Sequence, residues 1–288
     1  MPPMDAAPTG RIEQVAPLVR RLLAPNPSPF TFTGTHSYIV GRGDVAVIDP
    51  GPDLPVHVDA LLAATAGERI AAILCTHTHR DHSPAGRALA EASGAPIIGC
   101  APLSLDGDGA DEAFDRDYRP DRVLNDGESV DGPGWTLQAV ATPGHTSNHL
   151  CFALPEAAAL FSGDHVMGWS TSIVSPPDGD MAAYRASLDK LMAREEQVYF
   201  PGHGPQIDQP RRFVRGLILH RRQRETQILA RLAAGEGEVG AIVAALYGGI
   251  DKRLHPAAAR SVLAHLIELE QRGAVTRTKE AADAWQVA

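Results

Sequence analysis

The chain is 288 residues long, 44% hydrophobic, and carries a net charge of −9 at pH 7. That composition excludes a disordered chain and allows one large core with a small appendage. The acidic balance, with a pI near 5.7, argues against a dedicated nucleic-acid binder.

No apolar run approaches the roughly 18 residues that a membrane span requires. The N-terminal "MPPMDAAPTG" has no basic or apolar leader segment, so a cytoplasmic address is expected. Cys75, Cys100 and Cys151 are too scattered for a disulfide framework or a Cys-x-x-Cys metal site. Buried thiols are the expectation for them.

In chain order, "FTFTGTHSYIVG" and "DVAVIDPGP" read as strands divided by a Gly-Arg-Gly-Asp turn. "LPVHVDALLAATAG" reads as a helix ending at Gly67, and "IAAILCT" as a strand covered on both faces. A helix over Pro84–Ser93 and a short strand over Pro96–Gly99 follow. Further strands fall at "WTLQAVAT", "HLCFALP", "AALFSGD" and "QVYFPG", with a helix over Met181–Glu195. Interleaved strands and helices point to an α/β core built on sheets.

After Pro210 the pattern changes. "RRFVRGLILHRRQRETQILARLAAG" has helical spacing and carries Arg211, Arg212, Arg215, Arg221, Arg222 and Arg224. Two further helical segments, "VGAIVAALYG" and "HPAAARSVLAHLIELEQRG", precede a tail able to form a hairpin. The expected division is a catalytic domain over 1–209, a linker helix over 210–235 and a winged-helix-like domain over 236–288.

The chemistry concentrates in "ILCTHTHRDHSPAG", where His77, His79, Asp81 and His82 follow an apolar run directly. In an extended loop alternate residues point the same way, so His77 and His79 converge on one point while Asp81 and His82 face a second. Neutral imidazoles and carboxylates suit zinc, and two adjacent points suit a dinuclear centre. Six positions do not supply two complete sites. Three more candidates share one context, a glycine after a strand-like apolar run: His145 in "ATPGHTSNH", Asp164 in "LFSGDH" and His203 in "YFPGHG". Glycine at that place lets backbone and ligand approach a crowded centre.

"THTHRDH", "PGHT", "SGD" and "PGHG", in this order over roughly residues 30–205, resemble the metallo-β-lactamase superfamily. The resemblance implies a four-layer αβ/βα sandwich with two zinc ions per chain, other divalent metals being possible. His77, His79 and His145 would hold the first ion. Asp81, His82 and His203 would hold the second, and Asp164 would bridge them. Asp49, in "AVIDPG", matches an aspartate beside the site that hydrogen-bonds the ligands. His149 departs from the family pattern, where glycine usually precedes this histidine and here Asn148 stands; a supporting hydrogen bond or a plain structural place is expected. His165 reads as a core or rim histidine and His36 as a rim position near the cleft.

The implied reaction is hydrolysis by a hydroxide shared between two zinc ions, with Asp81 holding it in line. The C-terminal part resembles the β-lactamase-like subfamily with an associated winged-helix domain. Within that group two substrate classes stay open: a small ester, thioester or lactone, and single-stranded RNA, for which the arginines between Arg211 and Arg224 would form a phosphate track. The segment Met167–Tyr184 reads as a loop over the cleft, with Trp169 and Tyr184 as substrate contacts. β-Lactam hydrolysis is disfavoured by the missing leader. DNA binding is disfavoured because the helix over Pro256–Arg272 carries Glu268 and Glu270 beside Arg260 and Arg272. The reading leaves no role for DNA or a membrane and does not address oligomeric state.

Overall fold

The computed structural model describes residues 9–103, 113–249, 251–278 and 284–288. Most of the N-terminal segment read above for a leader, residues 1–8, lies outside them. The chain divides into two compact units. The first holds most of 1–142, 148–170 and 195–210, and the second holds 143–147, 171–194 and 211–288.

Two sheets make the first unit. The larger runs in chain order: β1 (Glu13–Ala16), β2 (Val19–Leu23), β3 (His36–Arg42), β4 (Asp44–Ile48), β5 (Arg69–Cys75), β6 (Ile97–Gly99) and β7 (Arg122–Val123). Its first three pairings are antiparallel and its last three parallel. The second sheet holds β8 (Ser129–Gly132), β9 (Trp135–Ala141), β10 (Leu150–Leu154), β11 (Ala159–Gly163) and β12 (Val198–Pro201). It is antiparallel except for β11 beside β12.

The inner faces of the two sheets share one core. Tyr38 of the first sheet meets Phe161 and Phe200 of the second at ring separations of 5.1 and 5.6 Å. Ile39, Val47, Ile73, Leu137, Phe152 and Leu154 are fully buried around them. At roughly 1.5–3 kcal/mol for each such side chain, this shared face is the main stabilising contribution to the unit. Helix α1 (Pro55–Ala64) follows β4, and α2 (Ala85–Ser93) lies against β5 and β6.

The second unit contains α3 (Met181–Met192), α4 (Pro210–Ala233), α5 (Val239–Leu246), α6 (His255–Gln271) and a pair of strands, β13 (Val275–Arg277) and β14 (Trp285–Val287). Asp180 caps α3 by accepting from the Ala183 amide at 2.7 Å. Ile228, Leu232, Ile242, Val262, Leu266 and Trp285 form its own core. The two tail strands pair antiparallel, Val275 opposite Val287; the residues joining them, 279–283, lie outside those described.

Several expectations need correction. "FTFTGT" is not a strand: residues 30–35 form turns, and β3 starts at His36. Helix α1 stops at Ala64 rather than Gly67, where the Thr65 hydroxyl turns back to the Leu61 carbonyl at 2.9 Å. Four strands escaped the sequence reading, β1, β2, β7 and β8. Of these, β2 carries Arg20 and Arg21, whose ion pairs with Glu68 and Glu13 satisfy charges that broke the apolar pattern.

Candidate metal centre

The chemistry-bearing residues leave the carboxyl ends of strands. Asp49 follows β4, His77 to His82 follow β5, Asp164 follows β11 and His203 follows β12. The parallel pairs β4–β5 and β11–β12 therefore deliver side chains to one edge of the first unit, where backbone polar groups that have left the ladder can be spent on orienting ligands.

Asp49 organises the histidines. Its Oδ1 accepts from the Thr76 amide at 2.8 Å, and its Oδ2 from the Thr76 hydroxyl at 2.9 Å. The same Oδ2 lies 2.9 Å from His82 Nδ1. Since the Thr76 hydrogen goes to Asp49, its oxygen accepts from His77 Nδ1, 2.9 Å away. Both rings thus carry hydrogen on Nδ1, and the lone pair of each Nε2 faces the centre.

His203 is held alike. Its Nδ1 donates to the Gly34 carbonyl at 3.1 Å, which leaves Nε2 bare. The two Nε2 atoms of His82 and His203 stand 3.3 Å apart. Around them, Asp81 Oδ2 is 3.1 Å from His203 and Asp164 Oδ1 is 3.3 Å from it. Two lone pairs and two carboxylates converging in a buried space repel one another unless a cation sits among them. In a chain without metal, protons take that place. Burial lowers the affinity of His203 for a proton, but Asp164 and Asp81 outweigh it and push the pKa up to about 10. His82 is raised in the same way despite its burial, by Asp81, Asp164 and Asp49. Burial alone would raise the carboxyls of Asp81 and Asp164, yet the two histidines hold both below the usual range.

His77 Nε2 lies 2.9 Å from His79 Nδ1, and Phe114 stacks on the His79 ring at 4.6 Å. Donor atoms of His77, His79 and Asp164 lie within 4.8 Å of one another, as do those of Asp81, His82 and His203. Asp164 Oδ1 is also 3.4 Å from His82 Nε2, so this carboxylate is shared between the two sets. The donors are the imidazoles and carboxylates that divalent transition metals prefer, so the cluster is able to bind metal ions.

His145 sits on the 143–147 segment, which clusters with the second unit. Its Nδ1 donates to the Ile173 carbonyl at 2.6 Å. His149 donates from Nδ1 to the Thr142 hydroxyl at 2.9 Å, while its Nε2 accepts from the Asp164 amide at 3.2 Å. It braces the backbone of the shared carboxylate.

The three glycines that precede candidate ligands are explained by what stands behind them. A Cβ on Gly163 would fall 2.7 Å from His149 Nε2, and one on Gly202 would fall 2.6 Å from both Asp164 Oδ1 and His82 Cε1. One on Gly144 would fall 2.3 Å from the backbone of Tyr184.

Other residues land differently from expectation. His36 is buried, not on a rim, with Nδ1 3.3 Å from the Pro201 carbonyl; burial lowers its pKa to about 3. His165, for which a core or rim place was expected, is fully buried and so lies in the core. Tyr184 is fully buried beneath Gly144, so it packs and does not face a substrate. Trp169 stacks on Phe32 at 4.9 Å, beside Gly204. Of the six arginines named for a possible phosphate track, Arg221 is buried at 2% exposure and Arg211, Arg212, Arg215 and Arg222 are exposed. Thr35, which donates to Asp81 at 3.3 Å, and Thr76 were not legible as site residues. Hydroxyls give no spacing signal, and only the place of Thr76, at a strand end beside a histidine, hinted at its part.

The metallo-beta-lactamase superfamily model matches residues 30–203. The chain belongs to that superfamily. The model of the beta-lactamase associated winged helix domain matches residues 239–285 of this metallo-beta-lactamase-fold chain. A Caenorhabditis elegans beta-lactamase-like protein 2 homolog is 34% identical over 78% of this chain and 74% of its own length. An atrochrysone carboxyl ACP thioesterase of Paecilomyces divaricatus is 33% identical over 78% of this chain and 68% of its own. A solved beta-lactamase domain protein from Burkholderia ambifaria superimposes with a TM-score of 0.83 at 20% identity, covering 99% of this chain and 96% of its own. Members of the superfamily are generally hydrolases, and here the fold carries a His/Asp cluster able to bind metal ions. Among the described residues no helix is long and apolar enough to cross a membrane.

Proposed function

We propose that the chain is a hydrolase with two zinc ions that cleaves a small ester, thioester or lactone. The observation that carries this is the facing pair of Nε2 atoms on His82 and His203, 3.3 Å apart between two carboxylates. His77, His79 and His145 would hold one ion, Asp81, His82 and His203 the other, with Asp164 shared. When bound, such ions supply Lewis acidity and an ionised water at neutral pH.

This chain's own residues set the rest. Asp49 and Thr76 keep His77 and His82 in the tautomer that presents Nε2. Asp81, with 26% of its side chain exposed, is a donor open to solvent and suited to hold a nucleophile's proton. The thioester class draws support from the thioesterase name of the Paecilomyces relative. RNA is the weaker alternative, because the short interval between Asp164 and His203 leaves no room for a large insertion that would hold a nucleic acid. The proposal includes a catalytic part over 1–209, a linker helix over 210–235 and a winged-helix-like part over 236–288. A cytoplasmic setting agrees with three buried thiols at Cys75, Cys100 and Cys151.

The test is one parallel assay of zinc-loaded protein with S-lactoylglutathione, an acyl-homoserine lactone, nitrocefin and a single-stranded RNA oligomer. Turnover of a thioester or lactone, lost in His79→Ala, is expected. Cleavage of RNA alone, sensitive to chelator, would overturn the substrate class and leave the centre standing.

A further inference from the structure

His145 is the one candidate ligand that belongs to the second unit, and groups of that unit tied to it form a connected chain. Its Nδ1 donates to the Ile173 carbonyl at 2.6 Å, so that carbonyl decides both the ring's tautomer and its tilt. The neighbouring carbonyl, of Ser172, accepts Nη2–H of Arg221 from α4. The Arg221 guanidinium lies over the Tyr184 ring, 5.0 Å from its centroid. Tyr184 in turn occupies with its backbone the space that a side chain on Gly144 would need.

Both flanks of His145 are tied to the same elements. The Asp180 amide donates to the Gly144 carbonyl at 3.0 Å, and Ser187 Oγ to the Pro143 carbonyl at 2.8 Å. Ser147 gives its amide and hydroxyl to the two oxygens of Asp178, at 3.0 and 2.5 Å.

Packing alone does not account for an arginine here. Arg221 is 2% exposed, and its Nε has no hydrogen-bond partner among the described residues. Burying a guanidinium costs several kcal/mol that a leucine on the Tyr184 ring would not incur. What the guanidinium adds is a directed hydrogen bond to the 172–173 segment.

We propose that Arg221 is a positioning residue for His145, fixing the 172–173 peptide so that the Ile173 carbonyl holds the imidazole with Nε2 bare. The inference rests on the reading of His145 as a zinc donor.

Two measurements on the full chain test it. The first is zinc titration in competition with a chromophoric chelator. The unaltered chain takes up two ions, and His145→Ala weakens one of them. Arg221→Met is expected to weaken that same ion about tenfold, the lower end of effects seen for groups that orient a ligand. The other ion stays within about twofold, and Arg221→Lys, which keeps a donor, recovers most of the loss. A purely structural role would instead lower both affinities together or only the melting temperature, and either result, or two unchanged affinities, overturns the proposal.

The second measurement is the nitrogen-15 spectrum of the His145 ring. It must show hydrogen on Nδ1 in the unaltered chain and loss of that single tautomer in Arg221→Met. If that variant does not fold, Arg221→Lys and the unaltered spectrum decide, and an Nε2–H ring in the unaltered chain overturns the idea. Failure of the unaltered chain to take up zinc would refute the hydrolase reading. The ring spectrum would still report whether Arg221 orients His145.

Discussion

Asp49 reaches two histidines at once: its Oδ2 accepts Nδ1–H of His82 directly and is joined to Nδ1 of His77 through the Thr76 hydroxyl. It does so from a left-handed backbone conformation, φ +49°, which a residue other than glycine adopts at a cost. The strain is kept because one carboxylate there sets the tautomer of one donor in each set.

Asp49→Asn tests this. Asparagine tolerates the left-handed backbone, so the fold should survive, but one acceptor oxygen becomes a donor. Zinc affinity is expected to fall about 10- to 100-fold, with turnover falling in step. Chelator competition measures it, and an affinity equal to that of the unaltered chain would contradict the role.

Gly202 is tested separately. A methyl group there would sit 2.6 Å from Asp164 Oδ1 and from His82 Cε1, closer than any real contact. Gly202→Ala should retain its far-UV dichroism and lose stability on the order of 1–3 kcal/mol. It should also lose the ion assigned to Asp81, His82 and His203. Metal analysis after gel filtration reads this directly, and full occupancy would count against it.

The third prediction concerns pH and a histidine of α6. His265 is buried, neither ring nitrogen has a hydrogen-bond partner among the described residues, and burial and then Arg221 lower its pKa to about 3. The unfolded chain binds a proton there near pH 6.5 and the folded chain does not. Its contribution to stability is therefore complete above pH 6.5 and is lost as pH falls towards about 3. His265→Leu removes that loss, so its melting temperature should exceed that of the unaltered chain by more at pH 5 than at pH 7.5. Equal differences at the two pH values would refute the assignment.

Much of this was legible in the sequence because the strands that deliver ligands are the most buried. "IAAILCT", "AALFSGD" and "QVYFPG" announce themselves by unbroken apolar runs, and each stops at a glycine or a histidine that could not continue them. The glycines before His145, Asp164 and His203 were readable as close approaches, though not what approaches: Tyr184, His149 and Asp164 come from other parts of the chain. Edge strands such as β7, exposed at both residues, carry no such pattern. Nor did Tyr184 reveal its burial or Arg221 its partner, since both depend on packing between elements distant in sequence.

The shared edge has a consequence for biosynthesis. His203 emerges from the ribosome long after His77, when the parallel pairs β4–β5 and β11–β12 can already have assembled. The ion proposed for Asp81, His82 and His203 would therefore be captured only by a nearly finished first unit. Its uptake would be a late checkpoint on correct folding, and nascent chains arrested before β12 should lack that ion even with zinc in excess.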